Sequence, residues 1–169
     1  RSHSYVIAFA DIFYAAARQI DTVSVIDTGG VARTIVNITV ASPNLYMDTG
    51  AISTSGPVVG TGTTAVAIGD TKLQTQIDHG TGVGQLSHSA VTATAPSTAG
   101  STRSWKLQKI LTNNSGGSIT INECGLYARC MDSAGTVRIF CLVRDLVSPG
   151  QTVINGAAAV LTYTIGVTA

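Results

Sequence analysis

Gly60, Gly62 and Ala65 form a G-x-G-x-x-A run directly after the apolar pair Val58-Val59. Many proteins use that spacing to bring backbone amides against a dinucleotide pyrophosphate. Asp78 stands near the distance at which such a site holds a ribose hydroxyl with a carboxylate. The chemistry also needs a helix immediately after the glycines, because its first amides meet the phosphate. Here VAIGDTKLQTQI (66–77) follows, with Gly69-Asp70 interrupting within five residues of Ala65 and no helical apolar stripe. No Lys-Ser/Thr pair follows either, so a P-loop fails as well. The stretch reads as a glycine-permitted tight loop leading into a strand, and no cofactor is expected.

The histidines are His3, His79 and His88. A metal centre or an acid–base pair needs further His, Asp or Glu at short spacing, and His79 has only Asp78 beside it. Ser87-His88-Ser89 lies in strand-like sequence, where adjacent side chains point to opposite faces, and no G-x-S-x-G elbow is present. Between positions 80 and 140 the only carboxylates are Glu123 and Asp132, which is little material for paired-carboxylate catalysis. No catalytic residue and no metal site is expected, and the chain reads as a non-enzyme.

Charged residues make up 11% of the chain, well under the ~25% usual for soluble domains. Thr, Ser, Ala and Gly take their place, so the polar surface must be mostly hydroxyl and backbone. Surface charge normally keeps a protein apart from its neighbours. Its scarcity points to a chain that spends surface on assembly. Arg103, Lys106 and Lys109 are interleaved with Trp105, but the net charge of +1 and the scatter of the other basic residues exclude a nucleic-acid face. These three read as a solvated strand edge. The apolar stretch Val6 to Ala17 spans 12 residues and contains Asp11, too short to cross a bilayer, so no membrane is expected. The chain begins at Arg1, which leaves a trimmed terminus and a partial sequence both open.

Residues 4 to about 20 carry the only helical pattern. Val6, Ala10, Phe13, Ala17 and Ile20 recur at spacings of three and four, and Ser4 is a candidate N-cap. The period then changes. VARTIVNITVA (31–41), LQTQI (73–77), GQLSHSAVTAT (84–94), SWKLQKILT (104–112), SITINECGLYARCM (118–131), TVRIFCLVRDL (136–146) and AVLTYTIGVT (159–168) read as strands. DTGG (27–30), NNSGG (113–117), DSAG (132–135) and SPGQ (148–151) read as turns. Short strands at this spacing, with no second helix, predict a mainly β fold: an antiparallel β-sandwich, jelly-roll-like, with one N-terminal α-helix. Residues 1–26 would form the helix and a lead-in strand, and 27–169 the sandwich, within a single domain.

The three cysteines have no C-x-x-C spacing, which fits neither a disulfide framework nor a zinc ribbon and suits a reducing compartment. If Met131 pairs with Thr136 across the DSAG loop, Cys124, Cys130 and Cys141 share a core face with Leu126, Val137, Ile139 and Val143. The opposite face then presents Tyr127, Arg129, Arg138, Phe140 and Arg144 as a contact surface. A shift of one residue would overturn this assignment.

Three stretches, VVGTGTTAVAIGDTKLQTQI (58–77), TNNSGGSITINECGLYAR (112–129) and LVRDLVSPGQTVINGAAAVLTYTI (142–165), resemble segments that recur in this order in structural proteins of tailed bacteriophages. DTGGVART (27–34), after the helix, is similar to the front end of that group. The resemblance covers roughly residues 10 to 167. Cys124 stands where the group commonly has Val or Ile, and the Ala-rich run at 157–159 also departs from it. The resemblance implies a virion protein assembled in a host cytoplasm: a capsid decoration or cement protein, or a tail-associated component. Its partners would be other copies of itself, as trimers or hexamers, and major capsid or tail proteins. A host-receptor or glycan-binding fibre module, stacking sugars on Trp105 and tyrosines, is the alternative. The candidate contacts are Val6, Ala10, Phe13 and Ala17 on the helix, which would dock either on a partner or on its own sheet, together with Tyr127, Arg129, Arg138, Phe140 and Arg144.

Overall fold

A computed structural model describes residues 5–18, 23–35, 46–47 and 50–168. Along it run α1 (Ile7–Arg18), β1 (Ser24–Ile26), β2 (Ala32–Thr34), β3 (Gly56–Gly60), β4 (Ser87–His88), β5 (Thr92–Ala93), β6 (Ser97–Ala99), β7 (Thr102–Thr112), β8 (Ile119–Met131), β9 (Val137–Val153) and β10 (Ala158–Thr168). The protein is mainly β and antiparallel, a sandwich-like fold with one short N-terminal helix.

Alternation builds the first sheet. β7 and β10 pair antiparallel along eleven residues, from Thr102↔Thr168 to Thr112↔Ala158. Leu107, Lys109 and Leu111 on β7 and Tyr163 on β10 point inward, with Trp105, Leu161 and Ile165 half-buried beside them. The alternation of apolar residues at 105, 107 and 111 and at 161, 163 and 165 gives this inward face. The other edge of β7 is met in turn by β4, β5 and β6.

The second sheet has the order β3-β8-β9. Its inner face meets the first sheet where the Tyr163 hydroxyl donates to Cys124 Sγ at 3.3 Å. Its other face does not look onto solvent. The 61–77 segment covers it, burying Leu73 and Ile77, and the Leu73 amide donates to the Tyr127 hydroxyl at 2.6 Å. β8 is therefore buried on both sides, and β3 is buried throughout. The helix closes one end: Ala8 and Ile12 are buried, the Val6 amide donates to the Leu142 carbonyl at 3.1 Å, and the Ile7 amide to the Ile68 carbonyl at 2.9 Å.

The β8–β9 register differs from the expected one. Met131 pairs with Val137, Cys130 with Arg138, Ala128 with Phe140 and Tyr127 with Cys141. A bulge then gives β9 one extra residue, so that Leu126 pairs with Val143 and Gly125 with Arg144. Asp132 and Thr136 close the turn between themselves, through Asp132 N–H to Thr136 O at 2.9 Å. That moves the first strand pair outward by one residue and exchanges the faces of β9 from Val137 to Cys141, while beyond the bulge Val143 and Arg144 lie on the expected ones.

Other boundaries also shift. SPGQ (148–151) lies inside β9 rather than at a turn, in a wide irregularity where Val147 to Gly150 oppose Asn122 alone. LQTQI (73–77) is held by a single bridge, Gly60↔Gln76, and by hydrogen bonds, and forms no strand. The strand expected at 31–41 is β2 followed by a bridge at Ile35, and its remainder lies outside the described residues, as do His3 and Ser4.

Candidate functional site

The glycine loop holds an anion, and the anion is the chain's own. Glu123, fully buried on β8, aims its carboxylate into the 60–75 segment. Oε1 accepts the Gly62 amide at 3.1 Å and the Thr75 amide at 2.8 Å, and Oε2 accepts the Gln74 amide at 3.0 Å. A Cβ on Gly60 would stand 2.6 Å from Oε1, and one on Gly62 2.5 Å from it. Both positions are glycine because the Glu123 carboxylate, together with the Thr75 carbonyl at Gly60 and the Gln74 side chain at Gly62, occupies the space, and neither has a positive φ. Gln74 completes the cradle by accepting the Thr63 and Thr64 amides at 3.0 and 2.9 Å. The amides that a pyrophosphate would require are thus already used.

Arg144, from β9, neutralises the charge. Its Nε donates to Glu123 Oε2 at 2.9 Å, and its terminal nitrogens donate to Asp70 Oδ2 at 2.8 Å and to the Thr64 carbonyl at 3.0 Å. Burial alone would lower the guanidinium pKa. The ion pairs with Asp70 and Glu123 outweigh burial and hold it above the ordinary arginine value. One network thus joins β8, β9 and the glycine loop, three places far apart in sequence.

A second arrangement occurs twice. In both D-T-G-G-V-A-R (27–33) and D-S-A-G-T-V-R (132–138), an Asp begins a tight hairpin and an Arg ends it. Asp27 Oδ1 accepts the amides of Gly29 and Val31, both at 2.9 Å, and Oδ2 accepts Arg33 Nε at 2.8 Å. Asp132 Oδ1 accepts the amides of Ala134 and Thr136 at 3.0 and 2.9 Å, and Oδ2 accepts Arg138 Nε at 2.7 Å. The hairpins clasp each other reciprocally. The Thr28 amide donates to Ile139 O at 2.9 Å, and the equivalent Ser133 amide donates to Thr34 O at 2.8 Å. Burial raises the Asp27 pKa, but Arg33 and the backbone amides outweigh it. Arg138 and the amides likewise hold Asp132 below the ordinary value.

Lys109 is not at a solvated edge. It is fully buried on β7, donating to the Ile52 and Ser55 carbonyls at 2.8 and 3.0 Å. Near it lies His88, 3% exposed, whose ring nitrogens make no hydrogen bond among the described residues. Burial, helped by the charge of Lys109, pushes the His88 pKa down to about 4, with the Ile52 carbonyl pulling weakly the other way. The His88 amide donates to His79 Nδ1 at 3.0 Å, which places the proton of neutral His79 on Nε2. Among the described residues, no three His, Cys, Asp or Glu side chains converge as a metal group.

The expected contact face does not form as one surface. Arg138 and Phe140 fall on the Cys130 face, whereas Tyr127, Arg129 and Arg144 fall on the Cys141 face. Tyr127, Phe140 and Arg144 are buried, and Arg129 and Arg138 are half-buried. The same register separates the thiols, placing Cys141 opposite Cys124 and Cys130. All three remain buried, and burial raises their pKa values, to about 12 at Cys130 and Cys141. Val6, just before α1, is buried against its own sandwich, while Ala10 and Phe13 on the helix are exposed, Phe13 by 66%. The Ala17 side chain lies outside the description. Trp105 is half-buried against the core, and Tyr127 and Tyr163 are buried, so these rings present no open stacking platform.

What the protein does expose is the outer face of the β7–β10 sheet. Thr102, Ser104, Gln108, Ile110 and Thr112 lie opposite Thr168, Gly166, Thr162, Val160 and Ala158, and Lys106 is the one charge on these two rows. Hydroxyl pairs cross it, such as Thr102 to Thr168 at 2.8 Å. Comparison with known protein families, with curated proteins and with solved structures finds no match to this chain.

Proposed function

We propose that this chain is a structural protein of a tailed-phage particle, a capsid decoration or cement protein or a tail-associated component. It works by binding neighbouring copies of itself and other virion proteins. The observation that carries this reading is the outer β7–β10 face, a broad sheet surface of hydroxyl and apolar side chains with Lys106 as its only charge. Such a surface meets another protein at little desolvation cost, and repetition in a symmetric particle multiplies weak contacts. The phage-like segments support it as well. VVGTGTTA (58–65) and the 112–129 and 142–165 stretches are joined through Glu123 and Arg144. The NNSGG turn is tied to the 142–165 stretch by Asn113 Nδ2 donating to the Val153 carbonyl at 2.7 Å.

Mass spectrometry and antibody labelling of purified particles from the source of this sequence test the reading. The expected result is this chain in many copies per particle. Its absence from particles in which capsid and tail proteins are detected would overturn the proposal.

A further inference from the structure

We propose that residues 52–55 form an acid-released latch. A proton taken up by the buried ring of His88 drives this segment off β7, while the two sheets stay packed.

The segment belongs to no strand and is fastened by side chains. Lys109, reaching up from β7, donates to the Ile52 and Ser55 carbonyls at 2.8 and 3.0 Å. Between them Gln76 Nε2 donates to the Ser53 carbonyl at 2.6 Å. Ser53 and Ser55 are buried under these ties, and the Ser55 hydroxyl makes no hydrogen bond among the described residues.

His88 stands at the same place. It pairs with Leu111 across β4 and β7, so it shares the inward face with Lys109 two residues along. The Ile52 carbonyl that Lys109 holds also faces the His88 ring. The His79 ring stands edge-on to that of His88, 5.8 Å away between centroids. The ionisable groups acting on His88 are therefore Lys109 from β7 and His79 from the loop before β4. The latch itself, in the stretch GAISTSG (50–56), carries none.

A neutral ring is tolerated there. A charged one adds a second cation beside Lys109 away from water, and its N–H groups compete with Lys109 for the Ile52 carbonyl. Lifting residues 52–55 hydrates both cations at the loss of three side-chain hydrogen bonds. The other neighbours yield less readily, because buried Ile77 and Leu86 anchor the loop before β4. In the open state the His88 ring regains its ordinary value of 6.5, whereas the closed latch holds it at about 4. The open fraction therefore rises as pH falls through that window, by up to about 300-fold, and levels off below it.

Ser55→Cys tests the latch by placing a thiol beneath it, at a position with no exposure in the closed state. Labelling by a dithiodipyridine, which reacts with thiols in acid, is followed by peptide mass at pH 7 and pH 4. Each rate is divided by that of free cysteine at the same pH. Label at position 55 should accelerate by up to about 300-fold in acid while Cys124, Cys130 and Cys141 stay protected. His88→Leu and His88→Gln, each added to Ser55→Cys and each melting cooperatively at pH 7, should abolish the acceleration. A rate at position 55 that acid does not change overturns the inference. Labelling of the three native cysteines in step with position 55 overturns it too, because the whole fold then opens. Acceleration that survives in a folded His88 variant assigns the trigger elsewhere and also overturns it.

Discussion

The Glu123 carboxylate occupies the cradle that Gly62 opens, its Oε1 accepting the Gly62 amide at 3.1 Å. A loop whose glycine spacing suggests a bound phosphate is instead filled by a side chain 61 residues further along. The physics of the two cases is shared. Backbone amides converge on an anion, and glycine lets the backbone come close.

Removing that anion should loosen the loop. Glu123→Gln removes one of the two carboxylates that neutralise the buried Arg144, and a broken buried pair costs about 3–5 kcal/mol. For a chain of this size the loss corresponds to roughly 6–20 °C in melting temperature by calorimetry. Gly62→Ala, which drives a methyl group into Oε1, should cost about 1–3 kcal/mol with every charge retained. A melting temperature unchanged by both substitutions would show that the cradle does not hold the fold.

The elements were largely legible because their signals are local. Leu107, Leu111 and Tyr163 alternate with polar residues, and NNSGG has the composition of a turn. The site was less so. Period-two reasoning gives β8 one buried face and one open face, but the 61–77 segment covers the second, so Tyr127 and Arg144 are interior. The one-residue slip came from a turn that includes Asp132 and Thr136. The repeated D-x-x-G-x-x-R could have signalled it, because the same seven-residue hairpin stands at 27–33.

The two hairpins should respond alike. Gly30 and Gly135 have φ of +78° and +74°. Alanine at either position should cost about 1–2 kcal/mol, because a Cβ is disfavoured in the left-handed region. Matched losses in urea melts are expected. A large loss at one site with none at the other would contradict their equivalence.

Stability should fall in mild acid through His88. The unfolded chain protonates His88 as pH drops through 6.5, whereas the folded ring resists until about 4. Stability present above pH 6.5 is therefore lost across that window, by on the order of 3 kcal/mol, and levels off below it. His88→Leu should flatten this slope, and His79→Gln separates the contribution of the neighbouring ring. An unaltered slope in His88→Leu would move the effect to another group.

The thiols should be inert in the native state. Cys124, Cys130 and Cys141 are buried with raised pKa values, so a thiol reagent at pH 8 should label them only as the protein unfolds. Fast labelling of two or more would contradict their placement in the core.

Cryo-electron microscopy of intact particles from the source of this sequence tests the central proposal most directly. The account predicts density for this sandwich in many symmetry-related copies, in contact with one another or with capsid or tail proteins. Particles complete in capsid and tail but lacking this chain would contradict it.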